Sequence, residues 1–446
     1  MSDRPGFFLS EAAIAARLRA HQLIPGGNHT YAKGDDQYPL HSPPVIVRGE
    51  GCHEWDVDGN RFIGYSLGQR CVTLGHGRPE VVEAVSRAVR NGLNFNRPSL
   101  LEGDAAEALL AIVPGADMVK FTKDGSTANT AAVKLARAAT GRRMVGLCVD
   151  HPFFSYDDWA MGVTPVDAGI PDEAKALTDV FHFNDLGSVD ALFDRHDGDV
   201  ACLMLEPCRP DIDPAPGFLE GLRERCSRHG TVLVFDEMTT GFRFHVSGGQ
   251  GLFGVTPDLS TFGKALGNGV AVSALLGTRE LMELGGLETT APRVFLLSTT
   301  HGAESTGLAA AMAVIDVYVR EGIVERLADT GERLRGLVQD EIDASGVGDA
   351  VDLRGRPQSL LFGTRDPAGA PSQAYRTLLL QELIRGGVLG PALLVSAAHA
   401  EEDLQATAVA FRDALAVYAR ALEAGSTDGF LEGPPSQSVY RRYNAP

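Results

Sequence analysis

No run of about 18 apolar residues, the length a membrane-spanning helix needs, occurs in the chain, and Met1–Ser10 has no apolar signal core. A cytoplasmic protein that neither crosses nor binds a membrane is therefore expected. The six cysteines, at positions 52, 71, 148, 202, 208 and 226, include no Cys-x-x-Cys pair, so reduced and mostly buried thiols are predicted. Positive charge is scarce: 40 Lys and Arg stand against 58 Asp and Glu, for a net charge of −18. A nucleic-acid backbone would be repelled, although backbone amides can still build a local anion site. The twelve histidines show no His-Glu-x-x-His or other ligand spacing, so no metal is expected. There is no Gly-x-Ser-x-Gly elbow, and Gly267-Asn268-Gly269 lacks the third glycine of a dinucleotide fingerprint.

What the chain does have is an apolar fraction of 44% over 446 residues, enough for more than one domain. Ser10 is a plausible cap for a helix over 10–21, and 24–36 is loop by its Gly, Pro and His content. Short alternating runs over 45–65 predict hairpin strands, and Pro79–Asn91 predicts a helix. From about 100 to 310, strand candidates (119–122, 144–149, 200–206, 232–236, 273–277) alternate with helix candidates (129–140, 218–228, 307–320). This alternation predicts an α/β fold with a largely parallel sheet. The expected division is an N-terminal segment 1–60 belonging to a small domain, a large domain 61–320, and a C-terminal α+β part 321–446. The Pro/Ser/Gly-rich tail after Gly425 is expected to be loosely ordered or to lie on a partner.

Two segments carry chemistry together. Thr231–Arg243 reads as a buried strand ending in Asp236, and Ser260–Gly269 places Lys264 on a turn between glycines. Pyridoxal phosphate needs this pair: an amine to hold its aldehyde as a Schiff base and a carboxylate to keep its ring nitrogen protonated. Asp124-Gly125-Ser126-Thr127 follows a strand and opens a helix closed by Gly141, where free N–H groups, the helix dipole and two hydroxyls suit a phosphate. Each feature has a plainer reading: ordinary capping for 124–127, an arginine partner or cap for Asp236, a surface position for Lys264. Their shared location beyond the carboxyl ends of strands, where open α/β sheets bind ligands, favours the cofactor site. Lys264 is not a P-loop lysine, because 258 is Asp and 265 is Ala.

These segments, with 74–81, 123–137, Leu205-Glu206-Pro207, 262–269 and 298–305, resemble the class III (ω-type) aminotransferases of pyridoxal phosphate fold type I. The branch they look like is that of glutamate-1-semialdehyde aminomutase and its aminotransferase relatives. The resemblance implies that Lys264 holds the cofactor and moves the substrate proton, and that Asp236 pairs with the ring nitrogen. It implies that Gly125, Ser126 and Thr127 hold the phosphate, that Met238 packs under the ring, and that Glu206 stands behind these groups. Thr300 matches a threonine that reaches the phosphate of a neighbouring subunit, which implies a homodimer with shared sites. Phe153 aligns with the family's ring-stacking aromatic, with His151 as the competing choice.

One loop departs from the aminomutase pattern. After Pro25-Gly26-Gly27 that enzyme carries a serine and an arginine for the substrate carboxylate, whereas this loop continues Asn28-His29-Thr30-Tyr31-Ala32-Lys33 without arginine. The variant is similar to a sub-branch of amino-sugar and specialised-metabolite aminotransferases. Candidate substrate contacts are His29, Tyr31, Lys33, Arg70, Arg97 and His301. The expected activity is transfer of an amine between an amino donor and an aldehyde or ketone. The alternatives are an intramolecular aminomutase, a racemase or decarboxylase on the same fold, and a non-catalytic cofactor-binding protein.

Overall fold

A computed structural model describes residues 9–151 and 153–443. The first eight residues of the N-terminal segment, Pro152 and the last three residues of the tail lie outside the described residues. The chain forms two compact units. One takes the residues up to Leu67, Leu74–Gly77 and Arg326–Val439; the other takes Gly68–Thr73, Arg78–Glu325 and the residues from Tyr440. These limits differ from the expected breaks at 60 and 320. Strand Arg61–Gly64 pairs in parallel with Val388–Leu389, which places it with the first unit.

In the first unit, Ser10 caps the helix Glu11–Leu23 by accepting the Ala13 N–H at 3.1 Å. The loop after it folds into three short 3-10 turns, Pro25–Gly27, Tyr31–Lys33 and Asp35–Gln37. A four-stranded sheet joins Ile46–Glu50, His53–Asp56, Arg61–Gly64 and Val388–Leu389, and a three-stranded sheet joins Val351–Arg354, Ser359–Thr364 and Leu393–Leu394. Part of the tail is tied down: Gln437 N bonds Asp36 O at 2.8 Å, and Ser436 N bonds Thr377 Oγ1 at 3.0 Å, both within the first unit.

The second unit is built on a seven-stranded sheet in the order Met118–Thr122, Ser273–Gly277, Leu259–Phe262, Val232–Asp236, Val200–Leu205, Met144–Cys148, Thr178–Phe181. Ser273–Gly277 runs antiparallel to both neighbours, and every other pairing is parallel. Residues 200–205 and 232–235 are apolar throughout because both faces of the sheet are covered there. Cys202, Met204, Val232 and Val234 pack on one face against Ala131, Ala132, Leu135 and Ala136 of the helix Gly125–Thr140. Leu203, Leu205, Leu233 and Phe235 pack on the other against Val189, Leu192, Leu219 and Leu222. Each buried Leu, Phe or Val contributes about 1.5–3 kcal/mol relative to exposure. The alternation also aims the strand ends. Asp236 shares the parity of Val232 and Val234, so it emerges on the side of the helix Gly125–Thr140. Among the described residues no helix is long and apolar enough to cross a membrane.

Candidate active site

The second unit contains Lys264, Asp236, Glu206, Gly125, Ser126, Thr127, Met238, Phe153, Thr300, Arg70, Arg97 and His301. Asp236 is buried, with no ion pair among the described residues. Its Oδ2 accepts the Asn129 side-chain amide at 2.7 Å, and its Oδ1 accepts the Met238 N–H at 2.9 Å. Asn129 also donates to Phe154 O at 2.7 Å and accepts the Thr261 hydroxyl at 2.7 Å. The amide is thereby locked and its donor end points at the carboxylate. Burial, then the negative charge of Glu206, raise the pKa of Asp236; Lys264 and the two N–H donors oppose the shift. Without a cation above it, the carboxylate is pushed toward its neutral form.

Lys264 has φ +46° on a 3-10 turn, Lys264–Gly267, that directly follows the strand Leu259–Phe262. A non-glycine residue in the left-handed region is costly and is kept where surrounding structure holds it, commonly at functional sites. The side chain is half-buried, and its amine makes no hydrogen bond or ion pair among the described residues. Burial lowers its pKa, with Asp236 and Glu206 opposing. The pair is therefore a cation pushed toward the free amine beside an acid pushed toward neutrality, the condition for a nucleophilic lysine.

At the helix start, Asp124 accepts the Thr127 N–H at 2.8 Å and the Thr127 hydroxyl at 2.9 Å. Thr127 is thus engaged by the cap, and the anion donors left over are the N–H groups of Gly125 and Ser126. Ser126 Oγ accepts the Tyr156 N–H at 3.2 Å, so its own hydrogen remains available. Close approach explains two glycines here. A Cβ on Gly125 would come within 3.0 Å of Met238 Sδ, and one on Gly263 within 2.6 Å of the same atom. Met238 therefore lines the floor between the helix start and the Lys264 turn. The buried carboxylate and the lysine amine, neither with an ion pair among the described residues, the N–H pair at the helix start and this glycine-lined floor together fit pyridoxal phosphate.

The stretch 153–159 is pinned to the same helix by Asn129 to Phe154 O, Tyr156 N to Ser126 and Trp159 Nε1 to Thr130 Oγ1 at 2.9 Å. Phe154 points into the core at 3% exposure and Phe153 stays open at 46%. His151 is held inside instead. Its Nδ1 accepts the Glu206 N–H at 3.0 Å, and its ring lies 5.1 Å from Phe183 and 6.0 Å from Phe154. Glu206 accepts the Thr239 hydroxyl at 2.7 Å.

The family model for class III aminotransferases matches residues 32–356. The chain is a class III aminotransferase, one of the pyridoxal phosphate enzymes. Among curated relatives of this class III aminotransferase, the glutamate-1-semialdehyde 2,1-aminomutase of Bordetella avium (strain 197N) is 35% identical over 415 residues, spanning 87% of this chain and 95% of that one. The FumI protein of Sphingopyxis sp. MTA144, solved in its PLP internal aldimine form, matches with a TM-score of 0.85 at 26% identity, over 95% of this chain and 100% of the other. An omega-transaminase from Sphaerobacter thermophilus gives a TM-score of 0.80 at 28% identity, over 92% and 98%.

The remaining sequence candidates of the aminotransferase are divided between the two units. His29, Tyr31 and Lys33 belong to the first unit, where all three are exposed. Arg97, Thr300 and His301 are exposed in the second. Thr300 sits on a segment tied down by Asn94 Nδ2 to Thr300 O at 2.9 Å and by Lys123 to Glu304 at 2.7 Å. Sequence reasoning passed over Asn129, although its place one helical turn beyond Gly125 put it on the phosphate-site face. It also passed over Glu237, which is wholly buried. Its carboxylate takes the N–H groups of Gly249 at 2.7 Å and Gln250 at 2.9 Å and the Thr240 hydroxyl, fixing the loop behind Asp236.

Proposed function

We propose that this class III aminotransferase transfers an amine between an amino donor and an aldehyde or ketone acceptor, in two half-reactions at one site. The observation that carries the reading is the Lys264 amine near the buried Asp236, neither of them with an ion pair among the described residues. When bound, pyridoxal phosphate supplies an electron sink for the carbon that bears the amine. Lys264 Nζ, its pKa lowered by burial, takes the proton from that carbon and returns it. Asp236, oriented by Asn129 and the Met238 N–H, presents a carboxylate to the cofactor's cationic nitrogen. Gly125 and Ser126 hold the phosphate, Met238 forms one wall, and Phe153 offers an open ring face as the other.

A loop without arginine after Pro25-Gly26-Gly27 supports a substrate of amino-sugar or specialised metabolism rather than glutamate-1-semialdehyde. A homodimer of the cytoplasm completes the proposal, in keeping with the free cysteines. Leu93 and Phe95 lie exposed on the segment that Asn94 ties to Thr300, a face on which a second copy would place its own Thr300 at the phosphate.

An intramolecular aminomutase is the second reading, favoured by the name of the 35% identical relative. The test begins with borohydride reduction of the cofactor-loaded protein and peptide mapping. Label at Lys264, and none in Lys264→Ala, is expected; a colourless protein with no label there overturns the reading. A donor screen follows loss of the yellow absorbance. Isomerisation of a single amino substrate with no second oxo compound would replace the transaminase by the mutase.

A further inference from the structure

Arg70 stands out among the charged groups around Lys264 because nothing neutralises it. Gly68, Gln69 and Arg70 form a left-handed turn, with φ of 61°, 61° and 73°. Three anchors in the second unit hold that turn. The buried guanidinium of Arg243 donates from Nη2 to Arg70 O at 2.5 Å, and a Cβ on Gly269 would lie 3.3 Å from Val72 Cγ2. Tyr318 donates to Thr73 Oγ1 at 2.6 Å. Val72 therefore abuts the end of the turn that carries Lys264, two residues from Arg70. An arginine held at φ 73° is unfavourable where glycine would be free, and such conformations persist where the position has a use.

The Arg70 side chain is half-buried and pairs with no carboxylate or other acceptor among the described residues. It lies near enough to Lys264 to lower its pKa and near enough to Arg243 to do the same. Arg243 is itself spent on the carbonyls of Thr239 and Arg70. In a chain with a net charge of −18, a half-buried guanidinium near the reactive lysine, unpaired among the described residues, favours an anionic partner.

We propose that Arg70 is the specificity-determining residue for an anionic group of the substrate, a carboxylate set apart from the reacting carbon. This rests on the transaminase reading above and names its substrate class. Arg70 forms a charge-assisted pair with the carboxylate and orients the far end of the substrate, while Lys264 works on the amine-bearing carbon.

The test uses the cofactor-loaded protein, its Arg70→Gly variant, which accepts φ 73° without strain, and Arg70→Lys. Probes are 4-aminobutyrate and butylamine as amine donors and butyrate and butanol as non-reacting ligands. Arg70→Gly should raise the KM for 4-aminobutyrate and the calorimetric Kd for butyrate roughly ten- to hundredfold, the worth of one charged hydrogen bond. Butylamine turnover and cofactor affinity should stay unchanged, and Arg70→Lys should recover part of the loss. Equal losses with butylamine, no loss with either donor, or wild-type protein that binds butyrate no better than butanol would overturn the proposal. So would a fall in cofactor affinity, which would assign Arg70 to the cofactor instead. Absence of label at Lys264 fails the parent reading and is read out separately.

Discussion

Asn129 offers a direct test of the site, because three hydrogen bonds of 2.7 Å converge on one buried amide. Asn129→Leu keeps nearly the same volume, so the loss is polar rather than a cavity. It strands the Phe154 carbonyl and the Thr261 hydroxyl and removes a donor from a buried carboxylate. Charged hydrogen bonds contribute about 1.5–3 kcal/mol and neutral ones about 1 each, so the variant should lose about 3–5 kcal/mol. For a unit of this size that is roughly 6–20 °C in melting temperature. The same change raises the pKa of Asp236 further and weakens its hold on a cation. Cofactor affinity at neutral pH should therefore fall about ten- to hundredfold. Thermal melts with and without cofactor, together with absorbance titration, read both effects. Melting within about 2 °C of wild type, with unchanged affinity, would refute the argument that Asn129 orients Asp236.

The cofactor should stabilise the protein more at pH 8 than at pH 5.5. Asp236 has a folded pKa raised to about 7, so its contribution to the cofactor-free protein is full below the ordinary carboxylate pKa of about 4. That contribution is lost as pH rises through the folded value. Bound cofactor supplies the missing cation and restores it, and a gain in melting temperature that is flat with pH would contradict this. Gly248→Ala should destabilise the second unit by about 3 kcal/mol or more. Its φ is +75°, and the new Cβ would lie 2.2 Å from Glu237 Oε2, which Gly249 N holds while Gln250 N holds Oε1. Chemical denaturation measures the change, and a loss below about 0.5 kcal/mol would argue that Glu237 does not hold this loop.

Local pattern carried much of the architecture. Continuous apolar runs at 200–205 and 232–236 announce strands buried on both faces, and Pro79, Ser10 and Gly141 mark helix ends, because each signal acts within a few residues. The chemical pair was legible for the same reason, Asp236 at the end of a recognisable strand and Lys264 on a turn between glycines. In the seven-stranded sheet, two strands were not legible. Leu259–Phe262 contains Ser260 and Thr261, whose burial makes sense only once Thr261 meets Asn129 across the sheet. Thr178–Phe181 is a short sheet edge. Tertiary structure alone decided what each polar group faces. It gave the Thr127 hydroxyl to Asp124, aimed Asn129 at Asp236, turned His151 inward and left Phe153 open. It also left the Arg70 guanidinium without an acceptor among the described residues. Such pairings join residues far apart in the chain, and hydrogen bonds of this kind depend on distance and direction in space, which no local pattern of residues encodes.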